Sequence, residues 1–103
     1  MPKGYVIVTE AIKDPAGMEA YARAAGATLA AHGAKILAVH DGAESLEGEW
    51  HGDRTVVLEF ESVEAARAWY ESAEYAKARP LRQAAADSNV VIVAGFEPPA
   101  GNG

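Results

Sequence analysis

Four apolar stretches recur along the chain, separated by segments whose apolar residues return every three or four positions. Gly4–Ile12, GYVIVTEAI, is apolar at consecutive rather than alternate positions. Tyr5 and Ile7 fall on one face and Val6 and Val8 on the other, so both faces of this strand call for cover. Asp14-Pro15 opens a helix, with Asp at the cap and Pro at the first helical position, where its missing N–H costs nothing. Met18, Tyr21, Ala22, Ala25 and Leu29 then form one apolar stripe. Gly26 weakens that helix by about 1 kcal/mol relative to Ala, or else permits close approach to a sheet. His32-Gly33 is a helix stop.

Ala34–His40 reads as the second strand, with Ile36, Ala38 and His40 on one face and Leu37 and Val39 on the other. Asp41–Asp53 is acidic, glycine-punctuated and too long for a tight hairpin, which makes it a candidate functional loop or a short strand extension in its own right. Arg54–Glu61 is the third strand: Val56, Leu58 and Phe60 share a face opposite Val57, Glu59 and Glu61. Ser62 caps the next helix, whose apolar side is Val63, Ala66, Trp69, Tyr70 and Ala73. Ser72 is a fresh N-cap, so the chain bends and restarts there. Pro80 is expected to end regular helical hydrogen bonding at Ala78 or Arg79, with a further turn over Leu81–Ala86. Asn89–Phe96 is apolar without alternation, as a strand buried on both faces would be.

The order β-α-β-β-α-β predicts an α+β, ferredoxin-like domain over residues 1–96, a four-stranded antiparallel sheet with its helices on one face. Residues 97–103, EPPAGNG, have nothing to bury and read as a disordered tail. Helices on one face leave the first and last strands with an uncovered apolar face. The simplest remedy is a homodimer packed sheet on sheet through the helix-free face.

Composition narrows the chemistry. At 103 residues there is room for one domain, and 9 Lys and Arg against 15 Asp and Glu give a net charge of −6. Nucleic acid and anionic membranes need a basic footprint, so neither is an expected partner. The absence of cysteine excludes disulfides, thiolate nucleophiles and Cys-held metals. With no apolar leader before the first strand, a cytoplasmic location is expected. There is no phosphate loop, dinucleotide fingerprint or nucleophile motif, and three scattered histidines lack ligand spacing. No cofactor or metal is expected.

Six blocks, GYVIV at 4–8, LEGEW at 46–50, VVLEF at 56–60, WYESAEY at 69–75, PLR at 80–82 and VVIVAG at 90–95, resemble the domain of unknown function 1330 (DUF1330) family. That family lies within the dimeric α/β-barrel superfamily. The resemblance covers nearly the whole chain except the tail. It implies the ferredoxin-like fold and the sheet-to-sheet dimer, and no settled activity.

Among candidate site residues, Glu59 lies mid-strand between Leu58 and Phe60. There it is either a proton-transfer group with a raised pKa or half of an ion pair with a neighbour such as Arg54 or Arg82, or part of an interface. His40, beside Asp41 at a strand end, is a candidate acid/base or a solvated side chain. Tyr70, Tyr75, Arg79 and Arg82 cluster around the helix break. The arginines either bind a substrate carboxylate, with a Tyr as hydrogen-bond partner, or pair with the chain's acids. Trp69 is expected in the core, and Trp50 is a pocket wall or a dimer contact. The expected function is binding of a small organic molecule between sheet and helices or at the dimer seam. Glu59 would be the base, Arg54 or Arg79 the anion anchor. By analogy with the superfamily, the chemistry would be cofactor-independent acid/base or oxygenase-like. The alternative is a non-catalytic dimeric interaction or stress-related domain.

Overall fold

The computed structural model describes residues 2–98, so the tail expected over 97–103 lies outside the described residues from 99 onward. The elements run β1 (Gly4–Ile12), α1 (Pro15–Ala31), β2 (Lys35–Asp41), β3 (Arg54–Phe60), α2 (Val63–Tyr70), α3 (Ala73–Ala85) and β4 (Ala86–Ala94). One antiparallel sheet has the order β2-β3-β1-β4, and the helices cover one of its faces. This is the expected α+β, ferredoxin-like arrangement.

Local chemistry explains most boundaries. The Ser62 hydroxyl accepts from the Ala65 N–H at 3.0 Å and the Ser72 hydroxyl from the Tyr75 N–H at 3.1 Å, so each restarts the helix as a side-chain cap. Asp14 holds the cap position of α1 without a side-chain hydrogen bond, and Pro15 follows at the first position. At the other end Gly33 has φ 69° and the Ala34 N–H reaches back to the Leu29 carbonyl at 3.0 Å.

Three sequence expectations are corrected. First, α3 runs through Pro80 to Ala85. The proline deprives the Ala76 carbonyl of its donor on an exposed side, while Tyr75, Ala78, Arg82 and Ala85 are buried on the other and hold the helix together. Second, β4 begins at Ala86 and not at Asn89, because Ala86, Asp87 and Ser88 pair with Ile12, Ala11 and Glu10 of β1. Pairing overrides the polar composition of that stretch. Third, a register shift between Ile36 and Ala38 turns β2. Ile36 and Val39 stand opposite Leu58 and Val56 on the helix side, while Ala38 and His40 stand opposite Val57 and Thr55 on the helix-free side.

The core lies between helices and sheet, built from Val6, Leu58, Phe60, Trp69 and Tyr75. Trp69 stands 5.5 Å from Phe60 and 4.2 Å from Tyr75, centroid to centroid. Its indole N–H donates to the Thr28 hydroxyl at 2.9 Å, which in turn donates to the Ala25 carbonyl at 2.7 Å. The opposite sheet face is bare: Val91 is 49% and Val93 43% exposed, and every residue of β2 is exposed.

Candidate functional site

An apolar cleft of about 160 Å³ opens between α1 and the β2–β3 side of the sheet. Met18, Ala25 and Leu29 form its roof, and Val8, Val56 and Leu58 its floor. Ile36 and Val39, 59% and 55% exposed, mark the open edge, because the β2 turn aims them at the cleft while no helix reaches over them. Gly26 also faces the cleft, and a side chain built there would meet nothing within 4 Å. The close approach to the sheet that Gly26 offered is therefore not what it provides; it leaves space.

Into this apolar setting β1 delivers Glu10. The residue is 2% exposed, and its Oε1 is buried with no hydrogen-bond partner among the described residues. Burial drives its pKa above the ordinary carboxylate value, against the opposing pull of Arg54 and Arg82. A backbone strap fixes the residue: the Asp53 N–H donates to the Glu10 carbonyl at 2.6 Å, and the Asp53 carboxylate accepts from the Ile12 N–H at 2.9 Å. Gly52, at φ 81°, packs so closely on the Glu10 carbonyl that any Cβ there would collide with it.

Polar groups flank the cleft. The hydroxyls of Tyr21 and Tyr75 lie 2.8 Å apart, and the Arg82 Nε–H donates to Tyr75 at 3.4 Å. Burial, then Tyr75, pushes the Tyr21 phenol far up, so it serves as a neutral hydroxyl. At the mouth Arg54 is held by Asp41 in a bidentate pair of 2.7 and 3.1 Å. That hydrogen bond lowers the Asp41 pKa.

The residues singled out from sequence do not all meet here. Arg54 lines the cleft, and Tyr75 and Arg82 stand behind Tyr21. Glu59 and His40 lie on the helix-free face. Glu59 accepts from the Tyr5 hydroxyl at 2.9 Å and pairs with neither arginine proposed for it, since Arg54 is taken by Asp41. His40 is exposed opposite Thr55. Arg79 stacks on Tyr70 at 5.0 Å and donates to its carbonyl at 3.4 Å. Trp50, 54% exposed, donates to the Thr55 hydroxyl at 2.9 Å, away from the cleft. His51 bridges Thr9 at 2.8 Å and Asp87 at 3.4 Å. Sequence reading passed over Glu10. The available signal was parity: Glu10 continues the Val6–Val8 face, so a strand that packs on helices must bury it. Among the described residues no three His, Cys, Asp or Glu side chains gather as a metal ion requires.

Comparison with known proteins bears on this fold. The chain resembles a protein of unknown function from Rhodopseudomonas palustris, at 22% identity and TM-score 0.75, covering 94% of this chain and 85% of that one. It also resembles a dimeric protein of unknown function and ferredoxin-like fold from Bacteroides fragilis, at 16% identity and TM-score 0.60, covering 89% and 95%. SnoaB, a cofactor-independent oxygenase from Streptomyces nogalater, aligns at 10% identity and TM-score 0.69 over 97% and 99%. At these identities the likeness is one of fold. No curated protein matches the sequence. Residues 3–96 match the family model described as "Domain of unknown function (DUF1330)", and the chain belongs to that family.

Proposed function

We propose that this is a homodimeric small-molecule-binding protein whose ligand lies in the cleft beneath α1 and whose reactive group is the Glu10 carboxyl. One observation carries the reading: a carboxyl almost wholly removed from water, with an oxygen that has no partner among the described residues, at a mainly apolar cleft. Leaving such a group unsatisfied costs about 1–3 kcal/mol, which a protein recovers when a ligand supplies the missing partner. A cavity of ~150 Å³ lined by aliphatic groups holds one benzene ring, so the volume suits a single six-membered ring. The matching ligand has one hydroxyl or carbonyl for Glu10 and an apolar remainder.

A carboxyl with a raised pKa is a better general base near neutrality than an ordinary one. It would take the proton of a bound phenol, or of a carbon beside a carbonyl, and become the neutral acid. Arg54 at the mouth is already paired with Asp41, so its contribution is the positive field it places beside Glu10. SnoaB is a cofactor-independent oxygenase, and activity of that kind in this chain would begin with such a proton transfer. Glu59 and His40 sit across the sheet from the cleft, so the acid/base role passes to Glu10. Glu59, Tyr5 and the bare valines are then features of the surface on which a second copy packs.

A thermal-shift panel of phenol, catechol, benzoquinone and small ketones tests the reading. A ligand at a hundred times its dissociation constant adds about 2.7 kcal/mol, a visible shift. Gly26→Leu is the control, since it adds bulk to the cleft and leaves the Glu10 carboxyl in place. A hit lost in that variant is expected. A blank panel, or a hit indifferent to the plug, would count against the cleft and favour the interaction-domain alternative.

A further inference from the structure

We propose a second site, independent of the cleft: the recess between α3 and the start of β4 binds a small carboxylate, with Arg82 and Ser88 as its anchors. Arg82 is 4% exposed, and its one hydrogen bond to protein, among the described residues, is the 3.4 Å contact from Nε–H to Tyr75. No Asp or Glu among the described residues forms an ion pair with it. The four N–H groups on its Nη atoms therefore have no protein acceptor among the described residues, and a guanidinium cannot shed its charge to relieve this. A buried charge without a counter-charge is unfavourable, and the fork it presents fits a carboxylate in bidentate fashion.

Ser88 supplies the second, separate observation. Its Oγ is buried with no hydrogen-bond partner among the described residues, and Ser88 lines the same recess of about 350 Å³. Register fixes its direction: Ser88 pairs directly with Glu10, so it points to the helix side of the sheet. Asp87 also borders the recess, but alternation turns its side chain to the opposite face, where its carboxylate meets His51 Nε2 at 3.4 Å. Glu10 feels the Arg82 charge without reaching ion-pair distance, and burial works against its own ionisation. Arg79, stacked on the Tyr70 ring that walls the recess, adds positive field. In a chain of net charge −6 the recess is thus a local cationic spot. That overall charge favours a monoanionic carboxylate over dianionic phosphate.

The test uses the full chain labelled with nitrogen-15, following the Arg82 Nε–Hε resonance during titration with sodium acetate at constant ionic strength. A saturable shift with one dissociation constant is expected. Ser88→Ala should weaken binding about tenfold, the effect of one hydrogen bond to a charged group. Arg82→Gln should abolish it. If that variant does not fold, Arg82→Lys keeps the charge without the fork and should bind more weakly than the parent. Inorganic phosphate should bind more weakly than acetate. A non-saturating shift in the parent, an unchanged constant in Ser88→Ala, or tighter binding of phosphate would each overturn the proposal.

Discussion

Glu10 and Trp69 show how the same burial acts in opposite directions on two side chains. Trp69 is 2% exposed with its single polar atom bonded to Thr28, so burial is pure gain. Trp69→Ala should cost about 3–5 kcal/mol in urea denaturation, the range for deleting a large buried aromatic. Glu10 is buried to the same degree with an oxygen unmatched, so burial is a cost there. Its folded pKa is raised, hence the folded state binds the proton more tightly than the unfolded chain. Stability is then fully present below the ordinary value of 4.5 and falls as pH rises from there through the raised folded value. Glu10→Gln cannot ionise. Its melting temperature should match the parent's at low pH and exceed it above that window; a parallel pair of pH profiles would show that Glu10 is not strained. Residues such as Trp69 are legible in a sequence because helical spacing places them inward. Glu10 was missed because a strand read as apolar on both faces drew attention away from its one acid. Glu59 drew that attention instead, although it sits where Tyr5 can hydrogen-bond it.

At the scale of elements, the strands and helices follow from apolar runs and caps, and the failures are places where tertiary contact decided the outcome. Ser62 and Ser72 announce their helices because a hydroxyl cap acts locally. Pro80 announces a stop that does not occur, since four buried residues of α3 outweigh one lost hydrogen bond. Pro80→Ala restores a donor for the Ala76 carbonyl and should raise stability by about 1–3 kcal/mol in chemical denaturation. No gain would mean that the chain needs the proline's fixed φ. The turn in β2 was invisible as well, because one extra residue flips every later side chain without altering composition. That turn matters: it aims Ile36 and Val39 at the cleft and sends His40 to the other face. Gly26 shows the same dependence on context. Gly26→Ala should stabilise α1 by about 1 kcal/mol, since nothing obstructs the added methyl. A loss of stability on that substitution would show the cleft to be closed.

For the whole molecule, one sheet face carries the helices and the cleft while the other is left with Tyr5, Ile7, Val57, Val91 and Val93. An exposed apolar sheet surface of this kind is rare on a monomer. Packing two copies through this face, as proposed, would bury it symmetrically. Sedimentation equilibrium should therefore find a dimer for the parent and a monomer for Val91→Lys, whose new charge falls on a position already 49% exposed and so spares the fold. A monomeric parent would overturn the dimer, and a Val91→Lys protein that stays dimeric would place the interface elsewhere. In such an assembly each copy would keep its own cleft on the outer, helix-covered side, and the proposed reactivity of that cleft would rest on one proton. The carbon-13 resonance of the Glu10 carboxyl, followed across pH with and without phenol, reads that proton directly. A titration midpoint above 4.5 that moves when phenol is added is the expected result. An ordinary midpoint, indifferent to the ligand, would contradict the assignment of Glu10 as the reactive group of a small-molecule site.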